Sequence, residues 1–306
     1  RSRFTNISRE EGLPHNLATL AYESEPGTLW VGTYGGGLAI IRSNRVEKWS
    51  VEDGQLTSNY IIALHRDRQG TYWFGTDGKG LLRYKDGEFT SFRGNRFSEN
   101  NIRVIFEDSQ NNLWVGHNLG VSRLESDQLV HDPRFPRNIV KAILEDKRKR
   151  VWVASRSGLS EWRDGQITVY RQPDGLCSER VNALYEDEDG ILWIGTETGL
   201  NRMAEPGKFV SFMTSDGPFR EHILHILEDD DGYLWLSTRN GILRAEKAEL
   251  NRAAAGGARH HVNIISYNRR DGMRRAQCNG IAQPAGWKLS DGRLCFPTMQ
   301  GVVLFD

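Results

Sequence analysis

The sequence predicts an all-β fold, a seven-bladed β-propeller built from four-stranded antiparallel blades. Three observations carry that expectation. Six of the nine tryptophans fall in one short pattern, at steps of 43, 41, 38, 41 and 42 residues. Each copy of the pattern sits between turns rich in Asp and Gly that separate short apolar runs. No helix-length periodicity lies inside the typical repeat. Periods of this size belong either to propeller blades or to helical-pair solenoids, and the strand character of each copy selects the propeller.

The copies read in order as Leu29-Trp30-Val31-Gly32-Thr33, Tyr72-Trp73-Phe74-Gly75-Thr76, Leu113-Trp114-Val115-Gly116-His117, Val151-Trp152-Val153-Ala154-Ser155, Leu192-Trp193-Ile194-Gly195-Thr196 and Leu234-Trp235-Leu236-Ser237-Thr238. Leu294-Cys295-Phe296-Pro297-Thr298 is a decayed seventh copy, 60 residues after Trp235. An apolar innermost strand precedes most copies, as in Ile61-Ile62-Ala63-Leu64 and Ile102-Arg103-Val104-Ile105-Phe106. Between the two strands an Asp stands six residues before the Trp at Asp67, Asp108, Asp146, Asp187 and Asp229, with Ser24 in the first copy. Asp bonds the turn backbone and the Gly that usually follows takes positive φ, which is hairpin chemistry. A second turn carries Gly37, Gly80, Gly120, Gly158, Gly199, Gly241 and Gly301. Third and fourth strands follow, as in Leu81-Leu82-Arg83-Tyr84 and Phe89-Thr90-Ser91-Phe92.

The ends predict closure. The chain stops at Gly301-Val302-Val303-Leu304-Phe305-Asp306, the third strand of the last blade, and begins with Arg3-Phe4-Thr5-Asn6-Ile7, which reads as a fourth strand. The N-terminal strand is therefore expected to complete blade seven and to remove an open edge. This makes residues 1–306 a single domain of about 44 residues per unit, with blade cores near Trp30, Trp73, Trp114, Trp152, Trp193, Trp235 and Cys295. The one helical candidate, Ala245 to Ala255, lies in a locally basic insertion over 244–275 before the last blade. That insertion, with Arg259-His260-His261, reads either as a solvated segment or as a contact with an adjoining domain or partner.

Composition excludes several classes. Forty basic residues balance forty acidic ones, so a general nucleic-acid binder is not expected. No apolar run reaches the 18 residues of a membrane span. Cys177, Cys278 and Cys295 follow no paired spacing, which argues against a metal knuckle or disulfide framework. The chain starts at Arg1 without an initiator Met and reads as a piece of a longer protein.

Most repeat residues read as scaffold. The Trp rings are expected to fill the wedges between blades, with the following Gly leaving room for the adjacent ring. Two sets of polar residues are expected on the face where the innermost strands begin. Asn16, Asn59, Asn100, Asn138, Glu179 and Glu221 stand 14 positions before each Trp, with Asn279 in the last blade, and either cap turn backbone or form a polar collar around the channel. The turns between second and third strands supply Tyr34, Asp77, Asn118, Arg156, Glu197, Arg239 and Gln300, with His117 beside them. These vary where the surrounding Gly and Thr stay fixed, and loops on a rigid frame are where binding tends to reside. No nucleophile elbow, metal-ligand motif or phosphate loop is present, so no catalytic residue, metal or cofactor is implied.

The stretch Asp187-Glu188-Asp189-Gly190-Ile191-Leu192-Trp193-Ile194-Gly195-Thr196-Glu197-Thr198-Gly199-Leu200-Asn201-Arg202 resembles the repeat of the two-component regulator propeller. The likeness runs through six copies. Tyr267-Asn268-Arg269-Arg270-Asp271-Gly272-Met273 is similar to that family's final-blade signature, with Met273 for Leu, Cys295 for Trp and Pro297 for Gly. The resemblance implies a non-catalytic periplasmic sensor domain of a membrane-bound bacterial signalling protein. It implies an adjoining immunoglobulin-like domain, then a histidine kinase or diguanylate cyclase (GGDEF) output, an oligosaccharide or other small-molecule ligand, and homodimerisation. Two other functions fit the same residues. One is a propeller lyase or hydrolase using convergent groups such as His15, His117 and Glu197. The other is a protein–protein scaffold.

Overall fold

The computed structural model describes residues 4–43, 45–212, 221–256 and 262–305. Seven four-stranded sheets succeed one another along the chain. Blade 2 is typical, with strands Ile61–Arg66, Tyr72–Thr76, Leu81–Lys85 and Glu88–Phe92 running from the axis outward. Blade 7 takes Trp287–Lys288, Leu294–Thr298 and Gly301–Phe305 from the C-terminal end and Phe4–Ile7 from the N-terminal end. The closing pair is antiparallel, in register from Phe4 opposite Phe305 to Ile7 opposite Val302.

The core is divided into wedges. Each repeated Trp packs on the strands of the following blade, as Trp73 does on Ile102, Ile105, Leu113 and Val115, and Trp193 on Ile223, Ile226, Leu234 and Leu236. Trp114, Trp152, Trp193 and Trp235 are 0% exposed. The Gly two residues after Trp114 and Trp193 makes room for an aliphatic side chain of the next blade, not for its ring. A Cβ at Gly116 would lie 2.5 Å from Val140 Cγ1, and one at Gly195 2.6 Å from Ile223 Cγ2.

The acidic turn has a second duty that its spacing did not reveal. In five blades one carboxylate oxygen accepts the turn N–H groups and the other accepts the indole N–H six residues on. Asp187 Oδ1 takes Asp189 N and Ile191 N, each at 3.0 Å, and Oδ2 takes Trp193 Nε1 at 2.8 Å. Asp67, Asp108, Asp146 and Asp229 do the same for Trp73, Trp114, Trp152 and Trp235. Ser24 Oγ accepts from Trp30 at 2.9 Å.

On the same face a polar clasp spans every blade junction. Arg66 reaches Ser24 O, Arg68 N donates to Glu107, Ser109 to Glu145, Lys147 N to Glu186, Tyr185 to Glu228, Lys288 to Asp230 and Ser290 to Glu23.

The decayed blade is repaired locally. Trp287, on the innermost strand, stands directly across from Cys295 and edges onto Tyr22 of blade 1 at 4.6 Å, so a ring still occupies the wedge. Pro297 is tolerated because the short inner strand begins only at Trp287, opposite Cys295, and makes no ladder bond opposite Pro297, while Asn279 N donates to Pro297 O. Met273 is 2% exposed, as buried as Leu13 and Leu176 in the equivalent crossings of blades 1 and 5, so the exchange for Leu costs no packing.

The helix spans Lys247–Gly256 and lies between the third and fourth strands of blade 6, within that blade. Leu250 is buried, Arg202 Nε donates to Asn251 Oδ1 at 2.7 Å, and Lys247 pairs with Glu228 at 2.6 Å. Much of the basic character of 244–275 is used internally. Arg244 lies 3.7 Å over the Tyr233 ring, and Arg274 pairs with Glu10 and Glu11. Arg259, His260 and His261 lie outside the described residues.

Candidate functional site

The mouth opposite the acidic turns is shaped by a bulge near the start of the innermost strands. Pairing skips one residue between Ala18 and Leu20, Ile61 and Ala63, Ile102 and Val104, Val140 and Ala142, and Val181 and Ala183. A bulge re-aims the unpaired side chain. The residues so freed are Thr19, Ile62, Arg103, Lys141 and Asn182.

The channel they face is crossed by the chain from Asn279 to Gly286. Asn279 Nδ2 donates to Ala18 O at 2.7 Å, Leu64 N to Gln283 O at 3.1 Å, and Ala21 N to Pro284 O at 3.2 Å. Arg103 Nη1 donates to Ile281 O at 3.0 Å and Lys141 Nζ to Gly280 O at 2.7 Å. Gly280 lies so close to Leu224 that a Cβ would fall 2.8 Å from Leu224 Cβ. The segment thus touches the innermost strands of blades 1 to 4 and the chain leading into that of blade 6. It forms a floor.

Above that floor, on the side of blades 4 to 7, lies a cavity of about 240 Å³. Lys141, Arg156, Arg180, His222 and Arg239 line it, together with Glu197, Asn182, Gln277, Leu224, Ile281 and Met299. Glu197 accepts from Arg180 Nη1 at 3.1 Å and stands 3.4 Å from His222 Nε2. Burial, reinforced by Arg103, Arg156 and Arg239, lowers the Lys141 ammonium to about 7. Burial and then Arg239 also lower His222, against Glu197 and Glu221.

The expected site residues divide into three groups. Arg156, Glu197 and Arg239 come together in this cavity. Tyr34, Asp77 and Asn118 form a second cluster over blades 1 to 3. There the Tyr34 hydroxyl donates to Asp77 Oδ2 at 2.5 Å, which holds the phenol above its usual range, and Asn118 Oδ1 accepts from Arg103 Nε. The remaining residues serve the frame. His117 is 0% exposed, bonded to Leu119 N and Ser122 Oγ, in the place that Thr fills in other blades. Asn16, Asn59 and Asn100 accept from backbone N–H of Arg9, Val51 and Gly94, and Asn138 donates to Ser157 Oγ at 2.8 Å. Asn279, 2% exposed and bonded to Ala18 O, belongs to the floor and also lines the cavity. In blade 7 the residue that lines the cavity is Met299, one position before Gln300 and four after Cys295, matching Arg156 and Arg239 four after their Trp.

Lys141, Arg180, His222 and Arg103 were missed. The signal was present for two of them. Arg103 and Lys141 interrupt apolar inner strands at the same register, 11 residues before Trp114 and Trp152.

A closed seven-bladed ring whose top loops and bulged inner strands converge on one floored mouth is a β-propeller with a cavity at one end of its channel. Four segments of the chain, residues 55–78, 96–118, 175–198 and 217–240, match the two-component regulator propeller family. Among solved structures it is similar to the extracellular domain of a hybrid two-component system from B. thetaiotaomicron, with a TM-score of 0.82 and 23% identity over 100% of this chain and 41% of that one. A one-component system from the same organism gives 0.74 and 19%, over 99% and 39%. Virginiamycin B lyase from Staphylococcus aureus, solved with quinupristin, gives 0.73 and 14%, over 98% of each chain. These likenesses establish the fold, and the chain spans about two fifths of the length of the two signalling proteins. Comparison with curated proteins finds no match. Among the described residues no helix is long and apolar enough to cross a membrane.

Proposed function

We propose that this propeller is a non-catalytic, extracytoplasmic sensor domain of a membrane-bound bacterial signalling protein. It receives a small ligand at the floored mouth and biases an output module, a kinase or diguanylate cyclase, through an adjoining domain in a homodimer. The observation that carries this reading is the mouth itself: side chains from blades 4, 5 and 6 meet above a floor supplied by the segment leading into blade 7. Around it the frame is closed by clasps at every junction. The repeat match and the fold shared with extracellular domains of signalling proteins support the same reading. A ligand shifts a receptor only by differential affinity for its two states, and the bistable element is placed in the dimer or the next domain rather than in this stiff ring.

A lyase-like activity is the second reading. It is favoured by His222 beside Glu197 and by the fold shared with a lyase. Titration calorimetry against a panel of oligosaccharides and small metabolites, with product analysis of each mixture, separates them. Saturable heat without product is expected. Turnover lost in His222→Ala establishes an enzyme instead, and silence with concentration-dependent self-association establishes a scaffold.

A further inference from the structure

The chain carries no net charge, yet its cavity does. Three arginines, Lys141 and His222 face one carboxylate there. Glu197 is shared between Arg180 and His222. Lys141 bonds a neutral carbonyl, and Arg156 and Arg239 make no side-chain hydrogen bond or ion pair among the described residues. Converging like charges repel, and a concave wall of low polarizability strengthens the field they share. The arrangement is unfavourable when empty and complementary to a negative group. Leu224, Ile281 and Met299 give the same cavity an apolar side.

We infer that the mouth binds a small organic anion, its carboxylate, sulfate or phosphate held by Arg156, Arg239 and Lys141 and its carbon skeleton resting against Leu224, Ile281 and Met299. This rests on reading the mouth as the ligand site. The volume of about 240 Å³ falls just under the roughly 300–1,000 Å³ of small-molecule sites, which suits a monosaccharide-sized acid or the charged end of a longer chain. A polyanion such as nucleic acid needs a basic stripe, whereas these charges converge on one hollow.

The test compares D-galacturonate with D-galactose, which differ at the charged carbon, and adds inorganic sulfate and inorganic phosphate. Binding is measured by calorimetry on the whole chain, in wild type, in Arg156→Ala/Arg239→Ala and in Lys208→Ala, a cation on the outer strand of blade 5. At least one of the three anions is expected to bind saturably and galactose not to. The double variant should weaken that binding by at least about tenfold, from loss of charge-assisted bonds, with Lys208→Ala unchanged. Arg156 and Arg239 are exposed and only repel their neighbours there, so the variant is expected to melt no lower than wild type. The carboxylate arm against the sulfate and phosphate arms identifies the headgroup. Galactose binding as tightly as galacturonate, with the mouth variant weakening both, overturns the anion and leaves the sensor reading standing. Absence of binding by all three anions, or binding insensitive to the double variant, also overturns it.

Discussion

Two buried bases give this protein a pH dependence that can be assigned residue by residue. His117 Nδ1 accepts from Leu119 N at 3.1 Å, so the single ring proton sits on Nε2 and points at Ser122 Oγ. A second proton would break the Leu119 bond in a buried site beside His131, and the pKa falls to about 3. The unfolded histidine takes that proton near 6.5, so native stability is present above this value and is lost as pH falls from about 6.5 toward 3, by at most about 1.4 kcal/mol per pH unit. His117→Thr, which restores the residue used in other blades, should be less stable at pH 7 because the ring leaves a cavity. Its urea midpoint should nevertheless fall less between pH 7 and 5 than that of wild type; parallel curves would refute the assignment. Lys141 works in the other window. Its native value of about 7 lies below the usual lysine value of 10.5, so the unfolded state binds the extra proton between them and stability rises across that range. Lys141→Met should therefore raise the melting temperature by several degrees at pH 6 and by less at pH 9. An equal gain at both pH values would show that the ammonium is not strained in the fold.

At the scale of the blade, the Asp-to-Trp bond joins a turn to a wedge. Asp187→Asn tests this better than Asp187→Ala. An amide keeping its oxygen on Asp189 N and Ile191 N turns its NH₂ toward Trp193 Nε1, and flipping it breaks the turn. Either way a donor is left buried without a partner, so about 1–3 kcal/mol of stability should be lost, read by chemical denaturation. Asp187→Asn at wild-type stability would show that the indole bond contributes nothing.

The same bond shows what the sequence could and could not disclose. Asp at a fixed distance from Trp was visible in five copies, and so were the blades it punctuates, because backbone turns and apolar strands follow local rules. The helix was legible for the same reason. The partner of the carboxylate's second oxygen was not, since that contact depends on how strand follows turn in space. The mouth divides similarly. Arg156, Glu197 and Arg239 are legible as variable residues in the turn after the Trp strand, but Lys141 depends on a bulge that frees its position. Arg180 and His222 required knowing that the floor from 279 to 286 leaves the cavity over blades 4 to 7. His117, by contrast, was expected beside the variable turn residues and is a frame residue: it accepts the turn N–H that Thr accepts elsewhere, and its other nitrogen meets Ser122 Oγ in place of the Thr bond to the turn Gly carbonyl.

At the scale of the whole molecule, the ring is held by one non-covalent seam between the chain ends. Phe4 is 4% exposed and packs edge-on against Tyr267 at 5.7 Å and Phe305 at 5.2 Å, two rings that also surround Trp235. Asn6 exchanges bonds with Gly272 O and Arg274 N, and Arg274 continues to Glu11. Removing residues 1–8 would therefore strip the outer strand of blade 7, uncover the edge of Gly301–Phe305 and open part of the wedge to blade 6. An uncovered strand edge is a template for pairing with other chains. The expected outcome is a melting temperature lower by roughly 10 °C or more, from a loss at least that of a buried Phe, together with concentration-dependent association in sedimentation velocity. A synthetic peptide of residues 1–12 should restore both readouts in trans, because the seam is strand pairing and ring packing with no covalent part. If the truncated chain stayed monomeric at the wild-type melting temperature, the ring would be held by its wedges and clasps alone. The N-terminal strand would then be an ornament of the fold rather than its lock.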